Sequence, residues 1–272
     1  MKTQIKKINQ IWFDFDNNSK MPSNSSYEIM SKKLQSLNCT YEYKLWTLKA
    51  ALEFVDEFYP EFSNFMQKSI PYNIVKCDFF RYLIMYHYGG IYLDLDFYAL
   101  KSFDDFFDDL YNNKIETQNN DSKDYEIILT EEWLNSSTTS NTLHNGFLIS
   151  MHAKNPFWLK LLNDINKCST IVYEKNDVFK YTGTNKLNIH CKENEEMCKG
   201  IVILPHYYMC PYMCVNKNDN NKVVLANANK TLPTLETHNW CFFTETHIDY
   251  MDQLCQDSYV ACIMLSNGSS WR

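Results

Sequence analysis

The chain has 272 residues, of which 45% are hydrophobic, 15% aromatic and 22% charged, with 6 Gly, 7 Pro and a net charge of −7. That composition excludes a disordered, fibrous or linker-like chain, and the length suits one α/β domain covering residues 1–272. The acidic balance, with no cluster of Lys and Arg, excludes a general nucleic-acid or anionic-membrane binder.

The opening stretch carries Asn9, Gln10, Asp14 and Asp16 and reads as no secretory leader. No run approaches the roughly 18 apolar residues of a membrane span. A cytoplasmic protein without stable membrane insertion is the expectation. The 10 Cys are thinly spread and read as reduced, mostly buried thiols. His206, Cys210 and Cys214, with His190, Cys191 and Cys198 upstream, could bind zinc, but the tight knuckle spacing of zinc sites is missing and packing is the simpler reading.

Lys7 to Phe13 reads as a first strand, and Ser25 or Ser26 caps a helix running to about Leu37. Tyr41 to Trp46 alternates apolar and charged residues as a second strand. Thr47 caps the next helix, with Leu48, Ala51, Leu52, Val55 and Phe58 on one face and Pro60 as its stop. A helix from Asn73 to Tyr88 ends at Gly89 and Gly90, and Ile91 to Phe97 follows as a strand. Ser102 opens a short helix with Phe103, Phe106, Phe107 and Leu110 on one face and a solvated aspartate face opposite. Loops with a strand around Ile127 to Leu129 follow, then a strand from Phe147 to Met151 and a helix from Pro156 to Cys168. Ile201 to Leu204 is a buried strand, and Asn216 to Asn221 is a hairpin tip before Val223 to Leu225. The β-α-β-α opening is the start of a parallel sheet, with the mixed C-terminal third as its cap.

The segment from Lys76 to Asp96 carries the chemistry. Asp78 and Arg81 lie three apart on an otherwise apolar helix and share a face. A structural ion pair would explain them, but such a pair costs about as much as it returns. Asp94 and Asp96 lie two apart on an apolar strand and project to one side, where their charges repel unless a cation neutralises them. Mg²⁺ typically joins one or two carboxylates to phosphate oxygens. The reading is a metal–diphosphate site at the carboxyl end of a strand, where open α/β sheets bind ligands. The bland reading is two surface aspartates.

The ordered set Asp-x-x-Arg, Gly-Gly, Tyr-x-Asp-x-Asp resembles the DXD-containing sugar-binding region of glycosyltransferase family 32, which includes yeast-type α-mannosyltransferases and is related to the glucosylating domains of clostridial toxins. Asn9 to Trp12 resembles the family's opening His-Gln-Ile-Trp, with Asn9 in place of His. Asn145 to Ser150 resembles its Asn-x-Phe/Ile-x-x-Ser strand. Tyr181 to Thr184 resembles its Thr-Gly-Pro, with Thr184 for Pro. Gly268 to Arg272 resembles its Gly-Ser-Trp-Lys tail.

The resemblance implies a GT-A fold, Rossmann-like, with a mostly parallel central sheet flanked by helices. It implies a retaining hexosyltransferase that uses Mn²⁺ or Mg²⁺ and a nucleoside-diphosphate sugar, UDP-linked in preference to GDP-linked, with a glycan or other hydroxyl acceptor. Carried over residue by residue, Trp12 would line the nucleobase pocket, Asp78 and Arg81 would bind the donor sugar, and Tyr92 would lie near the donor. Asp94 would touch ribose or sugar and share the metal, and Asp96 would bind it directly. Asn145 would contact the transferred sugar, Asn267 would offer a carbonyl to the metal, and Ser270 and Trp271 would close over the diphosphate. Asp94, Asp96 and Arg81 are thus the residues expected to carry the chemistry. Two other functions compete. One is a sugar-nucleotide binder without turnover. The other is a haloacid-dehalogenase-like phosphatase, which usually wants Thr or Val where Tyr98 stands.

Overall fold

The computed structural model describes residues 6–13, 20–68, 72–117, 125–132, 142–168, 171, 174–209, 213–216, 222–225 and 259–262. β1 (Lys7–Trp12) leads to α1 (Ser26–Leu37), whose cap Ser25 accepts the Glu28 amide. β2 (Glu42–Thr47) leads to α2 (Leu48–Phe58), capped by Thr47 through the Ala50 amide. Pro60 does more than stop this helix. It opens α3 (Pro60–Gln67), because its fixed φ and missing N–H suit a first helical turn. The expected apolar face of α2 holds for Ala51 and Val55, with Phe54 added. Phe58 is 49% exposed and instead lies against the Phe54 and His87 rings.

α4 (Asn73–Tyr88) ends at Gly89 and Gly90, whose φ values are 64° and 81°, and delivers the chain into β3 (Gly90–Leu93). The strand expected to run from Ile91 to Phe97 stops at Leu93. Asp94, Leu95 and Asp96 form a turn, closed by Phe97 donating its amide to the Asp94 carbonyl at 3.3 Å. β4 (Phe97–Ala99) then pairs with β10 (Val260–Cys262) in a separate two-stranded ribbon. The two aspartates therefore belong to a turn and not to a strand face. α5 (Phe103–Tyr111) carries its four predicted apolar residues buried and Ser102 as cap. β5 (Ile127–Glu132), β6 (Thr142–Ser150) and α6 (Pro156–Asn166) follow. The next elements, α7 (Lys175–Tyr181), α8 (Thr184–Glu193) and a 3₁₀ turn at Glu195–Cys198, are short and polar and gave no clear periodic signal. β7 (Ile201–Leu204), the short α9 (His206–Met209) and the hairpin of β8 (Met213–Asn216) with β9 (Lys222–Leu225) complete the described elements.

The central sheet has the order β2-β1-β3-β6-β5-β7. β1 is parallel to β2 and β3, and β5 is parallel to β7, while β6 runs against both β3 and β5. The sheet is therefore mixed, with a Rossmann-like parallel half, as the GT-A resemblance implied. Side chains alternate across it. Tyr92 and Leu148 join the core under α2, α3, α4 and α6, whereas Ile91, Leu93, Phe147 and Ile149 join the core under α5. Between β1 and β3 the connections leave in opposite directions, the switch point at which open α/β sheets form a crevice. Among the described residues no helix is long and apolar enough to cross a membrane.

Candidate active site

Asp94 follows the last residue of β3, beside the end of β1. Its amide donates to the Gly146 carbonyl at 2.8 Å, and its carbonyl accepts from Gln10 Nε2 of β1 at 3.2 Å. Tyr43 of β2 holds Gln10 in turn, its hydroxyl donating to Oε1 at 2.9 Å. Three neighbouring strands thus fix the backbone of the turn.

Arg81 fixes the side chain. Its Nη2 lies 3.3 Å from Asp94 Oδ1 and 3.2 Å from Asp78 Oδ1. Its Nη1 donates to the Asn145 carbonyl at 2.9 Å, and its plane lies over the Tyr92 ring. The Tyr92 hydroxyl donates to Asp94 Oδ1 at 2.5 Å. Burial works against the Arg81 charge, but the Asp94 and Asp78 carboxylates outweigh it and keep the guanidinium protonated. Burial and the Asp94 charge also hold Tyr92 protonated, so it remains a donor.

Behind Arg81 is a closed polar network. Asp78 Oδ1 accepts from Asn145 Nδ2 at 3.0 Å, and Asp78 Oδ2 accepts from the Thr182 hydroxyl at 2.9 Å. Asn145 Nδ2 also reaches the Tyr82 hydroxyl at 3.3 Å, which donates to the Thr182 carbonyl at 3.0 Å. Burial pushes the Asp78 carboxyl up to about 6, against the pull of Arg81, Thr182 and Asn145. Asp78 and Arg81 are each only 2% exposed, while the Asp94 side chain is 31% exposed. The exposed end of this charge network is therefore Asp94.

Two residues on in the turn, Asp96 is partly exposed, and its charge, after burial, raises the Tyr27 phenol. Tyr27 packs on Trp12 with ring centroids 5.7 Å apart. Trp12 is partly exposed at the end of β1, so it is not simply core, and its indole N–H is buried with no partner among the described residues. The structure thus brings together Asp78, Arg81, Tyr92, Asp94 and Asn145, and sets Trp12 beside Tyr27 and Asp96. Asn267, Ser270 and Trp271 lie outside the described residues.

Reading the sequence did not single out Tyr82, His144 or Tyr27. Tyr82 is one position from Arg81 and four from Asp78, on their helix face, and that spacing was a usable signal. His144 and Tyr27 carried none. A further signal was compositional: Arg occurs only at positions 81 and 272 among 26 basic residues. A chain that uses Lys almost everywhere keeps Arg where a rigid, always-charged fork is required.

The donor set fits a hard divalent cation. Among the described residues no group of three or more His, Cys, Asp or Glu could hold a metal. His190 is instead buried against the Phe157 carbonyl, and the Cys198 thiol meets the Cys191 carbonyl. Cys210 lies outside the described residues. Two carboxylates on one turn leave the remaining coordination positions for phosphate oxygens, as Mg²⁺ and Mn²⁺ prefer.

The family described as "Glycosyltransferase sugar-binding region containing DXD motif" matches residues 25–119. That region includes α4, β3 and the Asp94–Asp96 turn. The chain is 49% identical over 65 residues to inositol phosphoceramide mannosyltransferase 3 of Schizosaccharomyces pombe, which is 24% of this chain and 18% of that protein. It is 43% identical over 65 residues to mannosyl phosphorylinositol ceramide synthase SUR1 of Saccharomyces cerevisiae, covering 24% of this chain and 17% of that protein. These matches span less than a fifth of either relative's length. Among solved structures, PaToxG glycosyltransferase covers 70% of both chains at 18% identity with a TM-score of 0.47.

Proposed function

We propose that this protein is a metal-dependent, retaining glycosyltransferase that moves a hexose from a nucleoside-diphosphate sugar to a hydroxyl of a glycan or other acceptor. The observation that carries the reading is the Asp94–Asp96 turn, set at the switch point of the sheet and held from behind by the buried Arg81. The names of the yeast relatives make mannose the first sugar to test, with UDP- and GDP-linked donors both in the class.

The difficult event in such a transfer is departure of the diphosphate. A divalent cation bound at the turn would neutralise the charge that grows there, a contribution of several kcal/mol. Asp96 would hold that cation directly. Asp94, oriented by Arg81 and Tyr92, would share it or take a hydroxyl of ribose or sugar. Trp12 and Tyr27 offer an aromatic wall to the base, and Arg81, Asp78 and Asn145 back the end where the sugar would lie. Retention by front-face attack needs no dedicated base, because the acceptor proton can pass to the departing phosphate. Ser270 and Trp271 are proposed to cover the diphosphate.

The test is incubation with Mn²⁺ and a panel of UDP- and GDP-sugars, followed by analysis of the released products. Release of nucleoside diphosphate supports the transferase. Tight donor binding without release indicates a binder, and release of inorganic phosphate indicates a phosphatase.

A further inference from the structure

Thr182 and Gly183 stand at the junction of α7 and α8 and have no part in the transfer outlined above. Their placement is specific. Thr182 is fully buried, and its hydroxyl reaches Asp78 Oδ2 at 2.9 Å across the 104 residues that separate them. Its carbonyl accepts the Tyr82 hydroxyl, and its amide closes α7 on the Val178 carbonyl. A Cβ on Gly183 would lie 3.2 Å from Phe179 Cα, 3.3 Å from the Val178 carbonyl oxygen and 3.6 Å from Asp78 Oδ2, so glycine lets this backbone come close. One turn further along α8, Asn188 Oδ1 accepts the Leu143 amide of β6, two residues before Asn145. Thr184 takes the first position of α8, where Pro is also favoured, so the departure from Thr-Gly-Pro leaves the junction's shape intact.

The junction thus touches α4 and β6, the two elements that supply Asp78, Arg81 and Asn145. Asp78 has one oxygen for Arg81 and Asn145 and the other for Thr182. A buried network of this kind holds its members more firmly the more of their hydrogen bonds are made. We propose that the Thr182–Gly183 junction is a positioning element: Thr182 fixes Asp78, Asp78 orients Arg81, and Arg81 sets the Asp94 carboxylate. The kinetic consequence rests on the glycosyltransferase reading; the ordering of Arg81 does not.

Because Arg occurs only at positions 81 and 272, protein labelled with ¹⁵N-arginine gives two side-chain Nε–H signals. Arg81 Nε is buried with no partner among the described residues, so its exchange with water reports opening of the network. In the ligand-free protein, Thr182→Val should speed Arg81 Nε–H exchange at least about tenfold, and Thr182→Ser, which keeps the hydroxyl, should restore the slow rate. In Mn²⁺-dependent donor hydrolysis the same Thr182→Val should lower kcat about tenfold and donor KM by less than threefold. If Thr182→Val fails to fold, Tyr82→Phe opens the same network from the other side and should show the same exchange change. A variant that lowers the melting temperature while Arg81 exchange and kcat stay at wild-type values overturns the proposal. Absence of turnover in the wild type with every donor overturns the glycosyltransferase reading, and the arginine exchange still decides the role of the junction.

Discussion

Arg81 grips Asp94 by both carboxylate oxygens, with Nη2 3.3 Å from Oδ1 and Nη1 3.5 Å from Oδ2. The guanidinium is buried, and Asp94 is the member of the pair that meets solvent. Such a pair earns little stability in itself. What it does is hold a carboxylate in one orientation at the mouth of the crevice, which is what a metal–diphosphate site requires.

Arg81→Lys tests that role. A lysine ammonium keeps the charge but cannot reach two Asp94 oxygens, Asp78 and the Asn145 carbonyl together. Donor hydrolysis should fall roughly a hundredfold, about 2.7 kcal/mol in the barrier, with the circular dichroism spectrum unchanged. Wild-type kcat/KM in this variant would mean that the fork geometry is irrelevant to turnover.

The two aspartates of the turn should separate in their effects. Asp94→Asn removes the charge facing Arg81 and should destabilise the protein by about 1–2 kcal/mol, less than the roughly 3–5 of a fully buried pair because Asp94 is 31% exposed. Asp96→Asn should leave the melting temperature within a degree or so and abolish Mn²⁺-dependent turnover. Excess chelator should reproduce the Asp96→Asn activity in the wild type. Full turnover in chelator would exclude a metal from the reaction.

The first half of the fold was legible because its signals agree. Ser25, Thr47 and Ser102 cap where sequence chemistry puts caps, and Gly89 ends the helix that Asn73 begins. Legibility failed where a local pattern has two outcomes. Ile91 to Phe97 alternates like one strand, yet the chain leaves the sheet at Leu93 because the pairing of β4 with the distant β10 decides the rest. Asp78 and Arg81 could be seen to share a face, but not that Thr182 closes the network behind them, since only tertiary structure joins positions so far apart. Phe58 completes a helical stripe in sequence but takes the last position of its helix and is half exposed.

His190 should make the fold acid-sensitive. It is fully buried, with Nε2 3.1 Å from the Phe157 carbonyl and Nδ1 3.3 Å from Asn194 Nδ2. The neutral ring therefore carries its proton on Nε2 and accepts at Nδ1. Burial lowers its pKa from 6.5 to about 4; the Phe157 carbonyl and Asp164 pull upward, while Lys160 and Lys186 push down. Between those values the unfolded chain binds a proton that the native chain does not. The contribution is complete above about pH 6.5 and is lost as pH falls towards 4, amounting to about 3 kcal/mol at most. Urea midpoints measured from pH 7 to 4 should fall less steeply for His190→Gln than for the wild type. Parallel curves would show that His190 does not drive the acid limb.

Gly146→Ala should damage the site more than the fold. A Cβ at position 146 would lie 2.5 Å from Asp94 Oδ2 and 2.6 Å from His144 Cε1, closer than such atoms come in folded proteins. Both neighbours must give way. His144 is 9% exposed and its Nδ1 accepts the Gly146 amide at 2.9 Å, so it is the more firmly held. The Asp94 side chain is 31% exposed and is the less confined of the two. Part of the strain is therefore relieved by pushing the Asp94 carboxylate off Arg81, away from the orientation that the network imposes, and the rest falls on His144. Donor hydrolysis should fall roughly ten- to a hundredfold, while the melting temperature drops by only a few degrees. A second change that makes room on the other side, His144→Ala, should return part of the lost activity to Gly146→Ala. If Gly146→Ala turns over within twofold of the wild type, Asp94 does not need its observed position, and the gripping role assigned to Arg81 fails with it.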